Sequence, residues 1–340
     1  MARVAINGFG RIGRTFFRNS YNHPDIEVVA INDLGSIENL AYLLKYDTAY
    51  GQAPFEVLLN DGKLFVNEKE IAFFQEKDPS QLPWGQHDID VVVESTGFFT
   101  TYTAANQHIS AGAKHVVISA PAKDGDGTVS GATVLMGVNH DALATCQVSS
   151  NASCTTNATS PLIAILKEGV GIEKAILNTV HAYTATQSLV DGPAKKDLRS
   201  GRAAAQNIIP ASTGAAQATT KAHTELEGLF DGISLRVPVP VGSIVDVTFI
   251  AKRETTVEEI NALFVTAAQD ERWQGLFAVT DEPVVSSDII GSRVGSIADL
   301  SCTRVVGGNL VKVMAWYDNE TSYTETLIRH VAAAAKHIVR

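Results

Sequence analysis

Val4-Ala5-Ile6-Asn7-Gly8-Phe9-Gly10-Arg11-Ile12-Gly13, residues 4–13, decides the fold. A short β-type stretch runs straight into three glycines, and the residues after them, to about Tyr21, read as helix. In such a strand–turn–helix the first glycine permits the tight turn, the second lets a pyrophosphate approach the backbone, and the third lets helix and strand pack closely. The next strand, Ile26-Glu27-Val28-Val29-Ala30-Ile31, ends at Asn32-Asp33 and so places a carboxylate 20 positions beyond Gly13. A carboxylate there hydrogen-bonds the adenosine ribose and repels a 2′-phosphate. Gly8, Gly10, Arg11, Ile12, Gly13 and Asp33 are therefore expected to hold NAD in preference to NADP.

Two further stretches, Ile89-Asp90-Val91-Val92-Val93-Glu94 and His115-Val116-Val117-Ile118-Ser119, are almost continuously apolar, as strands buried on both faces are. A helical stretch near Ala104 to Ala113 separates them. They run into Ser95-Thr96-Gly97 and Ser119-Ala120-Pro121. Ligands of open α/β sheets bind beyond the carboxyl ends of the strands, so Ser95, Thr96, Gly97 and Ser119 are expected to line the cofactor cleft.

Cys146-Gln147-Val148-Ser149 reads as one more strand, and Pro161 to Leu166 as helix interior. Between them Ser150-Asn151-Ala152-Ser153-Cys154-Thr155-Thr156-Asn157 sets Cys154 at a helix N-terminus facing the same cleft. Unpaired N–H groups and the macrodipole there favour a thiolate, which marks Cys154 as a nucleophile. A second strand, Ala175 to Val180, leads into His181, and a thiol beside an imidazole is the pairing that covalent chemistry uses. On spacing alone His181 is one candidate among nine histidines. The run Lys195-Lys196-Asp197-Leu198-Arg199-Ser200-Gly201-Arg202, the Ser212-Thr213-Gly214 turn, and Arg236 in an otherwise apolar strand supply the parts of a phosphate site. A solvated loop and a structural ion pair are the alternative readings of the run and of Arg236.

Composition bounds the rest. The chain has 340 residues, long enough for two cores, and at 45% hydrophobic and 19% charged it is an ordinary globular protein. Cys146, Cys154 and Cys302 stand at unrelated spacings, which argues against a disulfide framework or a zinc cluster and for a reducing compartment. The apolar opening is too short for a signal peptide, and no run approaches the roughly 18 apolar residues of a membrane span, so a cytoplasmic protein is expected. A formal charge of −10 disfavours binding to nucleic acid or a membrane surface.

Nine motifs in order, INGFGRIGR (6–14), IND (31–33), LLKYD (43–47), SNASCTTN (150–157), VHAYTATQ (180–187), VDGP (190–193), GRAAAQNIIPASTGAA (201–216), LRVPVP (235–240) and WYDNETSY (316–323), resemble phosphorylating glyceraldehyde-3-phosphate dehydrogenases over essentially the whole chain. The resemblance implies that Cys154 attacks the aldehyde carbon of glyceraldehyde 3-phosphate, that His181 is the general base, and that a thioester is cleaved by inorganic phosphate. It implies that Thr184, Thr186, Arg199 and Arg236 hold the substrate phosphate. Ser153, Thr155, Thr213 and Gly214 are assigned by it to the attacking phosphate, Asn319 to the nicotinamide carboxamide, and Tyr323 to a place beside the ring. Leu34 and Pro193 resemble the NAD-type members, and Lys77, where Arg before Asp78-Pro79 is common, is counted with the cofactor residues. A homotetramer is implied as well, with residues from about 183 to 208 reaching across a subunit interface.

Three departures stand out. Ala158 replaces a frequent second cysteine, Ser322 replaces a glycine, and Thr48 to Gln52 differ from the usual stretch. The rival readings are an erythrose-4-phosphate dehydrogenase, an acylating semialdehyde dehydrogenase and a non-enzymatic NAD-binding protein. Intact Thr184, Thr186 and Arg199 favour the triose phosphate. The expected architecture is α/β: a Rossmann dinucleotide-binding domain at 1–153, completed by a C-terminal helix within 320–340, and an α+β catalytic domain at 154–319 with a mainly antiparallel or mixed sheet.

Overall fold

A computed structural model describes residues 1–123, 127–194 and 197–338. The chain divides into two units, Met1–Ala152 with Thr324–Arg340, and Ser153–Tyr323. The expected boundaries were 1–153 with 320–340, and 154–319. Lys195 and Lys196 of the basic run, and Val339 of the expected C-terminal helix, lie outside the described residues.

In the first unit, the described residues form a nine-stranded sheet. Its central strand, Ala2–Asn7, pairs in parallel with Ile26–Asn32 on one side and Val91–Glu94 on the other. His115–Ile118, Val148–Ser150 and Gly131–Thr133 extend the parallel order beyond Val91–Glu94. On the opposite side Lys69–Phe74 is also parallel, and an antiparallel hairpin, Lys63–Val66 with Val57–Asn60, finishes the sheet. Val91–Glu94 and His115–Ile118 are buried at every position, which is why their sequences lack the alternation of a one-sided strand. The core beside them gathers Trp84, Ile89, Val92, Val116 and Val148.

Gly8 and Gly13 fix the crossing of the first strand and first helix. Gly8 has φ +94°, and a Cβ on it would lie 2.6 Å from the Thr96 amide nitrogen. A Cβ on Gly13 would meet the Gly8 carbonyl oxygen at 2.2 Å. Neither site admits a side chain, and the helix Arg11–Ser20 can start only because both are glycine. The helical stretch expected near 104–113 is two short helices, Tyr102–Ala105 and Gln107–Ser110, the first capped by the Thr101 hydroxyl.

The second unit is built on a mixed sheet. Ser243–Ala251 and Leu310–Tyr317 pair antiparallel, and each alternates buried with less buried positions, as a sheet covered on one face requires. Ile172–Ala182 runs antiparallel to Ser243–Ala251 and parallel to Phe230–Val237. The helix Cys154–Gly169 packs on the sheet, pinned by the Thr155 hydroxyl to the buried Tyr317 hydroxyl at 2.9 Å. Among the described residues, no helix is long and apolar enough to cross a membrane.

Candidate active site and cofactor cleft

A cleft of about 700 Å³ opens beyond the carboxyl ends of the strands of the first unit. Of the residues expected there, Gly8, Gly10, Asp33, Leu34, Lys77, Ser95 and Thr96 line it. The space over Gly10 is open, with nothing within 4 Å of a notional Cβ, as backbone meant to meet a ligand requires. Asp33 is held as a wall by two backbone donors, Phe9 N–H to Oδ2 at 2.6 Å and Gly35 N–H to Oδ1 at 2.8 Å. Exposed apolar Leu34 (62%) and Phe98 (85%) stand on the same cleft, offering flat surface to a purine or other ring.

Of the other expected cofactor residues in this unit, none is among the lining. Arg11 turns its guanidinium to Asp47 at 2.5 Å, Gly13 is spent on helix packing, and Ile12 is half-buried. Gly97 forms the adjacent turn at φ +75°. Ser119 donates its backbone N–H to Glu94 O at 2.9 Å. Asn319 and Tyr323 belong to the second unit. There Asn319 Oδ1 accepts from Gly242 N and Ser243 Oγ, and Tyr323 is buried.

Sequence reading missed what supports the cleft. Glu94, at the end of its strand, is 2% exposed. Its Oε1 accepts from Thr96 N at 2.8 Å and Thr96 Oγ1 at 2.5 Å, and its Oε2 from Asn7 Nδ2 at 2.5 Å and His108 Nε2 at 3.1 Å. The His108 tautomer follows from its other side: Trp84 Nε1–H donates to Nδ1 at 2.9 Å, so the ring proton sits on Nε2 and points at Glu94. Asn7 Oδ1 in turn accepts from Asn32. One buried carboxylate thus ties the ends of adjacent strands that form the cleft floor. Glu94 and His108 are 14 residues apart on different elements. Their polarity within apolar surroundings was the available signal.

In the second unit Cys154 is the first residue of its helix, with Ser153 as N-cap accepting from Thr156 N at 3.1 Å. Cys154 Sγ lies 3.3 Å from His181 Nε2, which singles out that histidine from the nine. The parallel register sets His181 opposite Arg236, and Arg236 Nη1 stands 2.5 Å from His181 Nδ1. Ala182 O is 2.7 Å from His181 Nδ1 and 3.1 Å from Arg236 Nη1. In the tautomer that carries its proton on Nδ1, the Nε2 lone pair faces the thiol, as a general base needs, and Arg236, which can only donate, turns its Nη1–H to Ala182 O rather than to the ring. The His181 and Tyr317 rings meet in a T-shaped contact, centroids 5.9 Å apart.

Burial and charge act against each other here. Burial pushes the Cys154 thiol above its usual range, and the Arg236 charge and the first-turn hydrogen bonds only partly offset it. Burial, reinforced by Arg236, holds His181 down to about 3. Both directions favour thiol and neutral imidazole over the thiolate–imidazolium pair. The sequence reading expected the helix N-terminus to favour a thiolate; desolvation of the sulfur acts against it and is the larger effect.

The expected phosphate residues are more scattered. Thr184 and Thr186 hydroxyls pair at 2.9 Å, and Arg199 is exposed in the short turn Leu198–Gly201. Thr213 Oγ1 accepts from Ala215 N at 3.1 Å, beside Gly214. The Thr155 hydroxyl pairs with the Tyr317 hydroxyl and, together with the Thr155 backbone N–H, also bonds the Cys154 sulfur. Ser322 lies in the helix Thr321–Lys336, donating its hydroxyl to Asp318 O, so no positive φ is demanded where a glycine was expected.

A glycine-lined cleft in one unit and a thiol–imidazole–guanidinium cluster in the other are the parts of a dehydrogenase of the NAD-dependent class. Residues 2–102 match the NAD binding domain, and residues 153–319 the C-terminal domain, of glyceraldehyde 3-phosphate dehydrogenase. The chain is 48% identical over 341 residues to the glyceraldehyde-3-phosphate dehydrogenase of Clostridium acetobutylicum, covering 99% of each. It is 48% identical over 328 residues to that of Geobacillus stearothermophilus, and 48% over 329 residues to glyceraldehyde-3-phosphate dehydrogenase 2 of Streptomyces avermitilis, covering 96% of each chain in both cases. The chain belongs to the glyceraldehyde-3-phosphate dehydrogenase family.

Proposed function

We propose that the chain oxidises D-glyceraldehyde 3-phosphate to 1,3-bisphosphoglycerate with inorganic phosphate and NAD. The observation that carries this is the 3.3 Å approach of Cys154 Sγ to His181 Nε2 at a helix N-terminus. As Cys154 attacks the aldehyde carbon, His181 Nε2 accepts the thiol proton and returns it to the carbonyl oxygen, forming a hemithioacetal. The backbone N–H at Cys154 steadies the oxyanion on the way. His181 then removes the hydroxyl proton as hydride departs, which leaves a thioester on Cys154. An oxygen of inorganic phosphate attacks the thioester carbon, sulfur leaves, and the acyl phosphate is released with Cys154 reprotonated from His181. NAD, when bound, supplies the hydride acceptor.

Gly8, Gly10 and the start of the helix Arg11–Ser20 fit its pyrophosphate, and Asp33 its adenosine ribose. Arg236 with Thr184, Thr186 and Arg199 is assigned to the substrate phosphate. Ser153, Thr155, Thr213 and Gly214 are assigned to the attacking one. A homotetramer is supported by apolar side chains left exposed at Leu189, Val190, Leu198 and Ile208, all in or at the end of the segment from 183 to 208. Three unpaired cysteines support a reducing, cytoplasmic setting.

Initial rates of NADH formation test the proposal, with and without phosphate, with NAD or NADP, and with Cys154→Ser. Phosphate-dependent, NAD-preferring activity that the substitution abolishes is expected. Activity with erythrose 4-phosphate alone would overturn the substrate assignment.

A further inference from the structure

The strand that delivers Cys154 is braced from behind by a chain of buried polar side chains that the reaction itself does not use. His115 Nε2 lies 2.8 Å from Ser149 Oγ, Ser149 Oγ 2.8 Å from His330 Nε2, and His330 Nδ1 3.1 Å from Asn151 Oδ1. Asn151 Nδ2 donates to Thr326 Oγ1 at 3.2 Å. His115 is 3% exposed, Thr326 2%, and Ser149, Asn151 and His330 0%.

The direction of every bond follows from the Asn151 end. An amide oxygen can only accept, so His330 carries its proton on Nδ1 and its Nε2 is an acceptor. Ser149 must then donate to His330 and accept from His115 Nε2–H. Burial holds His115 down to about 4 and His330 to about 3, so both rings are neutral and the assignment is consistent along the chain.

What this chain holds is the turn before the nucleophile. Asn151 N–H also donates to Ile118 O at 3.0 Å, and Ala152 sits at φ +54°, a left-handed conformation that a residue with a Cβ keeps only where its surroundings enforce it. Ala152 N–H is taken by Ser150 Oγ at 3.0 Å, and Ser150 Oγ–H by Ala120 O at 2.6 Å. Apolar side chains would fill the same space without the desolvation cost of five polar ones. The polar set adds a fixed direction for the Asn151 side chain, two residues before the N-cap of the Cys154 helix.

We propose that His330, acting through Asn151, is a positioning residue for Cys154. The inference rests on the reading of Cys154 as the nucleophile. Its test is the rate of Cys154 carboxamidomethylation by iodoacetamide, followed by peptide mass, alongside kcat and the KM for NAD. His330→Leu removes the Nδ1 donor. Both kcat and the alkylation rate are expected to fall about tenfold, for a displacement well short of the 1 Å that costs roughly a hundredfold. The KM for NAD should stay within about twofold. His330→Gln, which keeps one donor and one acceptor, should recover most of both rates. Thr326→Val, a change of shape too small to endanger folding, frees the other side of the Asn151 amide and should slow both about threefold. Unchanged kcat and alkylation in Thr326→Val, or a His330→Leu protein that only melts earlier, would overturn the proposal. An active Cys154→Ser would instead overturn the nucleophile reading on which it stands.

Discussion

Glu94→Gln is the perturbation whose cost the structure defines most closely. The carboxylate receives four donors, from Thr96 N, Thr96 Oγ1, Asn7 Nδ2 and His108 Nε2. His108 cannot yield, because Trp84 Nε1–H occupies its Nδ1 and keeps the proton on Nε2. A glutamine has one oxygen and one NH2. With its oxygen toward Asn7 and His108, the NH2 faces Thr96, whose hydroxyl can turn to accept but whose backbone N–H cannot. The half-buried Thr96 N–H then loses its partner, at about 1–3 kcal/mol, and two charge-assisted bonds become neutral, at about 1 kcal/mol each. The sum is about 3–5 kcal/mol, a urea midpoint lower by roughly 1 M or more. Thr96 lines the cleft, so NAD affinity measured by fluorescence titration should fall as well, by about tenfold for each 1.4 kcal/mol that reaches the ligand. Urea unfolding followed by tryptophan fluorescence provides the assay. A Glu94→Gln protein within about 1 kcal/mol of wild type, with unchanged NAD affinity, would refute the reasoning.

Three further outcomes are expected. Burial, with Lys167 next, lowers His223 to about 4, below its unfolded value of about 6.5, so the folded state binds fewer protons and stability falls as pH drops from about 6.5 toward 4. His223→Gln should remove about 1.4 kcal/mol per pH unit of that slope, measured as urea midpoints at several pH values; an unaltered slope would contradict it. Ser322→Gly should lower stability by about 0.5–1 kcal/mol in thermal melts, since the position is helical and the Ser322 hydroxyl bonds Asp318 O; a stabilised variant would imply strain at Ser322. Because Ala158 occupies the buried position four residues after Cys154, peroxide-oxidised Cys154 should await an external thiol, and mass mapping that finds an intramolecular disulfide would disprove it.

Local chemistry was legible in the sequence wherever neighbours in the chain are neighbours in space. The glycine turn, Asp33 and the N-capped Cys154 each sit within one strand–turn–helix, so their placement could be read from local sequence. His181 and Arg236 become partners only through the parallel register of Ile172–Ala182 with Phe230–Val237, which a resemblance could supply and spacing could not. The Glu94–His108–Trp84 and His115–Ser149–His330 sets gather from distant elements, so a polar residue in an apolar stretch marks a member of such a set but not its partners. The hairpin Val57–Asn60 with Lys63–Val66 passed unread because its outward side chains include Leu58 and Leu59, blurring the alternation. For Cys154 the helix N-terminus that favours a thiolate is visible in sequence, and the burial that opposes it is not.

The central claim is that Cys154 carries the acyl group. Mixing the protein with NAD and glyceraldehyde 3-phosphate in the absence of phosphate, quenching in acid and weighing the intact chain tests it most directly. One phosphoglyceroyl group per chain, mapped to Cys154, matched by one NADH and discharged by added phosphate, is the predicted result. NADH formed with no acyl mass on the chain, or an acyl group on any other residue, would contradict the account.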